Sequence, residues 1–439
     1  MIDRMKKMVD LAISLGAKEA EVYGSSGKVI TVETQHGDIS FAEESMSEGM
    51  GIRVIAGDAV GYSSSNDPAK YEEAVRAAIA CARSRGRDPN LVGLPRPETY
   101  KSVRGIYDRS IAELKLDQCM DIAATMVESA KNDPAASVTF GKFASIISDT
   151  AIVNSNGISA EESETMAYGY IDVIIKEGDR VSTAFDYEVS RKLDADFQVV
   201  GARASGLARS SLNSAPIESQ VSDVLLGPHA FADLLESTLI FAVNSENVQK
   251  GRSGLAGKIG RKVAVDGLTI IDDGLIESGM GTSMFDDEGV PSQQTTIIND
   301  GVLESFLYDT YTAAKEKRES TGNASRGSYS SSPKVGPRNI RFEYPRCDLI
   351  KETDRGIFVN SIIGAHTANP ISGDFSVECR NAFLVENGKM STPVRSMMIS
   401  GNIFDYMEKI DAMSREEKPI GSVISPTVRV KDVRVTPGA

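Results

Sequence analysis

The chain has 439 residues, 41% of them hydrophobic and 25% charged, with a formal net charge of −14 at pH 7. That length exceeds what one hydrophobic core serves, so two domains are expected, 1–217 and 218–439. The negative field repels phosphate backbones and anionic lipids, which argues against nucleic-acid and membrane partners.

Ile2, Met5, Met8, Val9, Ala12 and Ile13 share one helical face, and Gly16 follows as a stop. Neither a secretory h-region nor a bilayer-length apolar stretch is seen, so a cytoplasmic protein is expected. Asp67 and Pro68 announce a second helix with Tyr71, Ala74, Val75, Ala78 and Ala82 inward. Gly86 to Arg109, with Pro89, Pro95 and Pro97, reads as a linker. A third helix is predicted from Ala112 to Lys131, with Leu116, Met120, Ala123, Ala124 and Val127 inward.

Hairpin turns are predicted at Gly57-Asp58, Asn156-Gly157, Gly178-Asp179, Asp300-Gly301 and Asn387-Gly388, where positive backbone angles suit tight turns. Such turns join antiparallel neighbours, and no regular β-α-β alternation occurs. The fold class is therefore α+β. The N-terminal domain is expected to pack helices on antiparallel strands, and the C-terminal domain to be rich in antiparallel β-sheet. Pro228 to Asn244 reads as one largely buried helix. Ser320 to Arg338, rich in Ser, Gly and Pro, reads as a mobile or substrate-facing loop.

Chemistry-bearing motifs are sparse. There is no P-loop, no G-x-S-x-G elbow before a helix and no H-E-x-x-H. Cys81, Cys119, Cys347 and Cys379 lack metal-ligand spacing and read as small buried hydrophobes. The histidines are His36, His229 and His366 alone, which leaves little material for a hydrolytic metal site. Asp286, Asp287 and Glu288 read as a solvated turn.

The C-terminal half carries an ordered series of short motifs: Phe285–Pro291, Asp300-Gly301-Val302-Leu303, Thr321-Gly322-Asn323-Ala324, Pro337-Arg338-Asn339, Gly364-Ala365-His366, Ser372–Ser376, Val385–Gly388 and Ser400-Gly401-Asn402. The series resembles the TldD/PmbA family, also called modulator of DNA gyrase, over nearly the whole chain. The resemblance implies that TldD-type chains hold zinc through His-Glu-x-x-x-His on a helix and a later cysteine. Here Leu225–Pro228 and Lys250–Ser253 fix the register, and the motif positions read Glu236, Ser237 and Phe241. Asp411 to Ser414 stands where the later ligand belongs, with no cysteine.

The resemblance thus implies the zinc-lacking TldE (PmbA) type: no catalytic residue, no metal ligand and no cofactor in this chain. The expected partners are a zinc-holding TldD-type subunit in a heterodimer, a second copy in a homodimer when isolated, and unfolded peptide as substrate. Residues expected to touch peptide are Asp374, Phe375, Ser376, Asn323 and His366. Two other readings stand beside this one. One is a self-sufficient peptidase drawing on Glu236, Asp286, Asp287, Glu288 and His366. The other is a peptide-binding regulatory homodimer.

Overall fold

The computed structural model describes residues 1–438. It opens with α1 (Ile2–Ser14), which buries Met5, Met8, Val9 and Ala12 as the spacing predicts. Strands β1 (Glu19–Gln35), β2 (Asp38–Ala56) and β3 (Ala59–Ser65) follow, then α2 (Tyr71–Ser84). After the irregular linker come α3 (Arg109–Ala112), α4 (Leu116–Ala130), β4 (Ala136–Asn154), β5 (Ser159–Glu177), β6 (Arg180–Ser190) and α5 (Val199–Ser211). The six strands are all antiparallel, in the order β3-β2-β1-β4-β5-β6.

The period of two along β1 sorts this sheet into an inner and an outer face. Ala20 and Val22 pack with α1 and α2, whereas Ile30 and Val32 pack with α4 and α5. All four are even-numbered, so both helix pairs lie on one face, at opposite ends of the long strands. The odd positions Glu21, Tyr23 and Ser25 are left for the other face, which meets the C-terminal half. The inward stripe of α4 differs from the prediction. Cys119, Ala123, Met126, Val127 and Ala130 are buried, because the helix packs on α5 as well as on the sheet. At that contact an added Cβ on Gly201 would lie 2.1 Å from the Met126 carbonyl oxygen.

The second half contains β7 (Gln220–Leu226), α6 (Pro228–Ser237), α7 (Leu239–Val243) and α8 (Ser245–Gln249). Next come β8 (Thr269–Asp273), β9 (Gln294–Asn299), β10 (Val302–Leu303), α9 (Thr310–Lys315), β11 (Ala324–Ser325), β12 (Lys334–Val335), β13 (Ile340–Glu343) and β14 (Arg346–Cys347). The chain ends with β15 (Arg355–Ile363), β16 (Asp374–Glu386), β17 (Lys389–Val394), β18 (Met397–Asn402), α10 (Ile403–Lys409), β19 (Ile410–Ile420) and β20 (Val423–Pro437). The fold class is α+β, as expected.

Most pairings of the larger sheet are antiparallel; β7–β15, β13–β20 and β14–β19 are parallel. Because β7 bonds to both β15 and β20, strands β20-β18-β16-β15-β7 close into a ring. Phe231, Leu234 and Leu235 of α6 share one core with Val359, Val377, Ile399 and Val430 of that ring. The single helix predicted for Pro228 to Asn244 is broken. Thr238 adopts φ −135° and ψ −73°, and its hydroxyl donates back to the Leu234 carbonyl at 2.5 Å. A side chain that competes for the backbone acceptor in this way ends α6, and α7 starts afresh.

Candidate functional site

The helix named by the motif comparison is placed by apolar packing. Pro228 sits at the first helical position, where no N–H is needed. With Phe231, Leu234 and Leu235 turned into the core, His229, Asp233 and Glu236 fall at i, i+4 and i+7 along the remaining face. That face looks onto β6. The His229 ring stands edge-on to Tyr187 at 4.8 Å and to Phe185 at 5.6 Å. Lys418 reaches in from β19, 3.6 Å from Asp186.

This environment shifts His229, Asp233, Glu236 and Tyr187. Burial, helped by the Lys418 charge, lowers His229 to about 4, so it is neutral at physiological pH. Burial and then the Glu236 charge push Asp233 up to about 6. Glu236 is raised as well, because surrounding protein takes water from its carboxyl, with the Ser422 N–H opposing. The Tyr187 hydroxyl is raised by burial first and by the Asp233 charge next.

The motif positions do not converge on a metal. Glu236 is exposed and lies by the β19–β20 turn, where an added Cβ on Gly421 would come 2.3 Å from its Oε1. Ser237 ends α6, whereas Phe241 sits on α7 beyond the Thr238 break. Met413 is buried, and the Ser414 hydroxyl donates to the Glu416 carbonyl and accepts from the Thr427 N–H. One carboxylate, one hydroxyl and one phenyl ring do not fit hydrolytic zinc, which needs about three protein ligands. Among the described residues, no group of three or more His, Cys, Asp or Glu is placed to hold a metal ion.

A second polar site lies at the seam between the halves. Arg53 of β2 donates to Glu21 and to Glu288, each at 2.6 Å. The fully buried Arg326 reaches Glu21 at 2.5 Å and the Tyr62 hydroxyl at 2.9 Å. The Asp286 carboxylate accepts from the N–H groups of Glu288, Val290 and Ala324. Burial, followed by the Glu288 charge, pushes it up to about 7.

The acidic run is therefore no solvated turn: Asp286 and Glu288 are 0% and 1% exposed. The Ser320–Arg338 stretch is likewise pinned through Arg326 and Tyr329 rather than loose. Beside it lies a polar slit of about 350 Å³, lined among others by Tyr23, Glu162, Arg191, Asp287, Arg326 and Arg338.

The residues expected to touch peptide separate into two groups. His366, in the turn Ala365–Thr367, and Asp374 and Ser376, at the start of β16, are exposed and lie near one another on one rim. Phe375 points the other way; it is buried and edge-on to Tyr406 at 4.9 Å. Asn323 corrects the expectation. It is 1% exposed, and its amide donates to Asp272 at 2.6 Å and to the Gly336 carbonyl at 3.0 Å, so no face is left for a peptide. Glu236, His366 and Asp286–Glu288 have separate partners and form no single site.

Three family models match in chain order: the PmbA/TldA metallopeptidase domain 1 at 20–84, the central domain at 109–212 and the C-terminal domain at 219–437. The chain belongs to the PmbA/TldD metallopeptidase family. It is 32% identical over 422 residues to an uncharacterized protein of Methanocaldococcus jannaschii, covering 95% of this chain and 97% of that one. It is 26% identical over 442 residues to the metalloprotease PmbA of Escherichia coli O157:H7, covering 97% and 96%. The crystal structure of TldE from Thermococcus kodakarensis superposes with a TM-score of 0.92 at 26% identity, covering 99% of this chain and 100% of that one.

In family terms the two polar sites join different parts. The seam pairs Glu21 and Arg53 of domain 1 with Glu288 and Arg326 of the C-terminal domain. The α6 face meets Asp186 and Tyr187 of the central domain. Sequence reasoning missed Tyr187, Asp233 and Lys418. The signal for Asp233 was present, since His229, Asp233 and Glu236 repeat at helical spacing.

Proposed function

We propose that this chain is the zinc-free partner subunit of a two-component TldD/TldE metalloprotease that degrades or trims unfolded peptides. A TldD-type subunit supplies the zinc and the general base; this chain supplies no metal ligand. The observation that carries the reading is the end of α6, where Glu236, Ser237 and Phe241 occupy the motif positions and Thr238 splits the helix between them. Similarity to TldE along the full chain supports the same branch.

In this reading the chain works in the cytoplasm, forms a homodimer when isolated and exchanges that partner for the TldD-type subunit. Peptide is held by strand addition, which uses main-chain hydrogen bonds and so tolerates many sequences. The rim of His366, Asp374 and Ser376 is the favoured place. There β16 is bonded to β18 on one side, while its pairing with β15 begins only at Glu378. No helix is long and apolar enough to cross a membrane.

The test incubates a denatured peptide with this chain alone, with its TldD-type subunit alone and with both. Cleavage is expected only when the TldD-type subunit is present, and fastest with both. Chelator-sensitive cleavage by this chain alone would overturn the proposal.

A further inference from the structure

The chain is acidic, with 62 Asp and Glu against 48 Lys and Arg, but residues 247–265 reverse the sign. They carry Lys250, Arg252, Lys258, Arg261 and Lys262 and no Asp or Glu. This stretch is a loop fixed at both ends. Just after α8, the Arg252 N–H donates to the Asn247 carbonyl at 2.8 Å, and the Ser253 hydroxyl donates to the Ala242 carbonyl at 2.7 Å. Leu255 is buried in the core of the C-terminal half. Further on, the Gly260 N–H donates to the Leu303 carbonyl of β10 at 2.8 Å, and the Leu303 N–H donates to the Arg261 carbonyl at 3.0 Å. Between these anchors Gly257 has φ +72°, and an added Cβ there would meet nothing within 4 Å. The outer surface of the loop is therefore open backbone between basic side chains.

The charges around it can be accounted for one by one. Lys250 pairs with Glu246 and Lys262 with Asp266. Glu304 of β10 accepts from the Asn299 amide, and Asp374 accepts from Asn402 and Ser372. Asp405, the next residue after Phe404, pairs with no cation among the described residues. Arg252, Lys258 and Arg261 likewise have no ion pair among the described residues; Lys258 lies 5.5 Å over the Phe404 ring. Arg252 and Arg261 are exposed. Three unanswered cations against one free carboxylate leave a positive surplus.

The surroundings select the kind of anion. The loop lies against the turn that leads into β16: an added Cβ on Gly254 would come 3.1 Å from the Ile371 carbonyl oxygen. Ile259 and Ile371 are exposed there, and Ser376 of β16 precedes the start of the β15 pairing at Glu378. Apolar side chains and main-chain groups are answered by a peptide, not by a phosphate backbone. A polyanion also meets the field of the −14 chain along its whole length, whereas a peptide can confine its acidic residues to the loop. The exposed Asp374 and Glu378 on β16 require neutral or basic residues beside them.

We propose that Arg252, Lys258 and Arg261 bind the acidic part of a peptide whose neighbouring residues lie on the β16 rim, as Arg clusters do with acidic motifs. The chain thereby favours peptides with a block of Asp or Glu at one end. This rests on the rim as the peptide site and is independent of the zinc-free reading.

Fluorescence anisotropy of labelled, unstructured peptides with the full chain tests it. The peptides carry a block of Glu, Gln or Lys at one end or the other and are otherwise identical. In one placement the Glu peptide should bind about tenfold tighter than the Gln peptide, and the Lys peptide weakest, since exposed ion contacts are individually modest. Added salt should erase the difference. Arg252→Glu with Arg261→Glu should abolish the preference. Lys6→Glu with Lys7→Glu, exposed on α1, changes the net charge equally and should preserve it.

If the charge reversal does not fold, Arg252→Gln with Arg261→Gln decides, with a smaller loss in the same direction. Equal binding of Glu and Gln peptides in both placements would overturn the proposal while leaving the rim as a peptide site; no saturable binding of any peptide would overturn both. Tighter binding of an oligothymidine than of the Glu peptide, an unchanged preference in the folded loop variant, or an equal loss in the α1 variant would overturn it. So would a loop variant that loses self-association in gel filtration, which would assign the loop to a second copy.

Discussion

The seam and the α6 face both gather charge between domains, but they satisfy it differently. At the seam, Glu21, Arg53, Glu288 and Arg326 are almost fully buried and answer one another through short ion pairs. At the α6 face, His229 is neutral under two aromatic rings, Asp233 is held above its ordinary range, and Glu236 is exposed. The difference teaches that the seam fixes one arrangement of domain 1 on the C-terminal domain, whereas the end of α6 is only loosely constrained by its side chains. A surface of the second kind tolerates substitution without loss of the fold.

The contrast breaks most visibly at Arg326. Arg326→Ala leaves the buried Glu21 with Arg53 alone, a cation it shares with Glu288, and removing one partner of a buried pair costs up to about 3–5 kcal/mol. Urea unfolding should show a loss of that order; a change near zero would mean that water already enters the seam. Gly51→Ala is expected to cost less, about 1–3 kcal/mol for a forced shift. An added Cβ there would lie 1.9 Å from the Tyr329 carbonyl oxygen. The Tyr329 loop must lift off β2, and faster proteolysis near Tyr329 would report it.

The α6 face should answer to pH instead. His229 has a folded pKa of about 4 against an ordinary 6.5, so the unfolded chain takes up its proton first. Its contribution to stability is present above about 6.5 and is lost as pH falls towards 4. Asp233, raised from 3.8 to about 6, acts in the opposite sense: its buried charge costs stability above about 6, and the cost is relieved as pH falls. The two oppose each other between about pH 6.5 and 4. Asp233→Asn removes the relief, so the variant should be more stable than the parent at pH 7 and lose stability more steeply on acidification. Melting curves across that window check both signs. The smallest effect belongs to Glu236→Ala, expected within about 0.5 kcal/mol, as for other exposed positions.

Much of the fold was legible because local signals agreed with tertiary needs. The stripes of α1 and α2 and the turn residues Gly57-Asp58 and Asn387-Gly388, all with positive φ, mark their elements directly. The break at Thr238 was not legible, since Leu239, Ile240 and Phe241 continue an apolar helical run; only the back-bonded hydroxyl ends it. The burial of Asp286 and Glu288 was hidden for a different reason. Glu288 is answered by Arg53, distant in sequence, and Asp286 by backbone N–H groups that include Ala324 of the Ser- and Gly-rich stretch, so the acidic run looked solvated. Asn323 misled in the same way, being a polar loop residue whose acceptors come from β8 and from beyond β11. Of the candidate site, the motif positions on α6 could be read by register, but the β6 aromatics facing them could not.

Zinc content tests the central claim most directly. The purified chain, equilibrated with excess zinc and then separated from free ion by gel filtration, should carry well below about one zinc per chain by elemental analysis, because the end of α6 offers fewer than the about three ligands a catalytic ion requires. About one tightly held zinc per chain, removed by Glu236→Ala, would contradict the account.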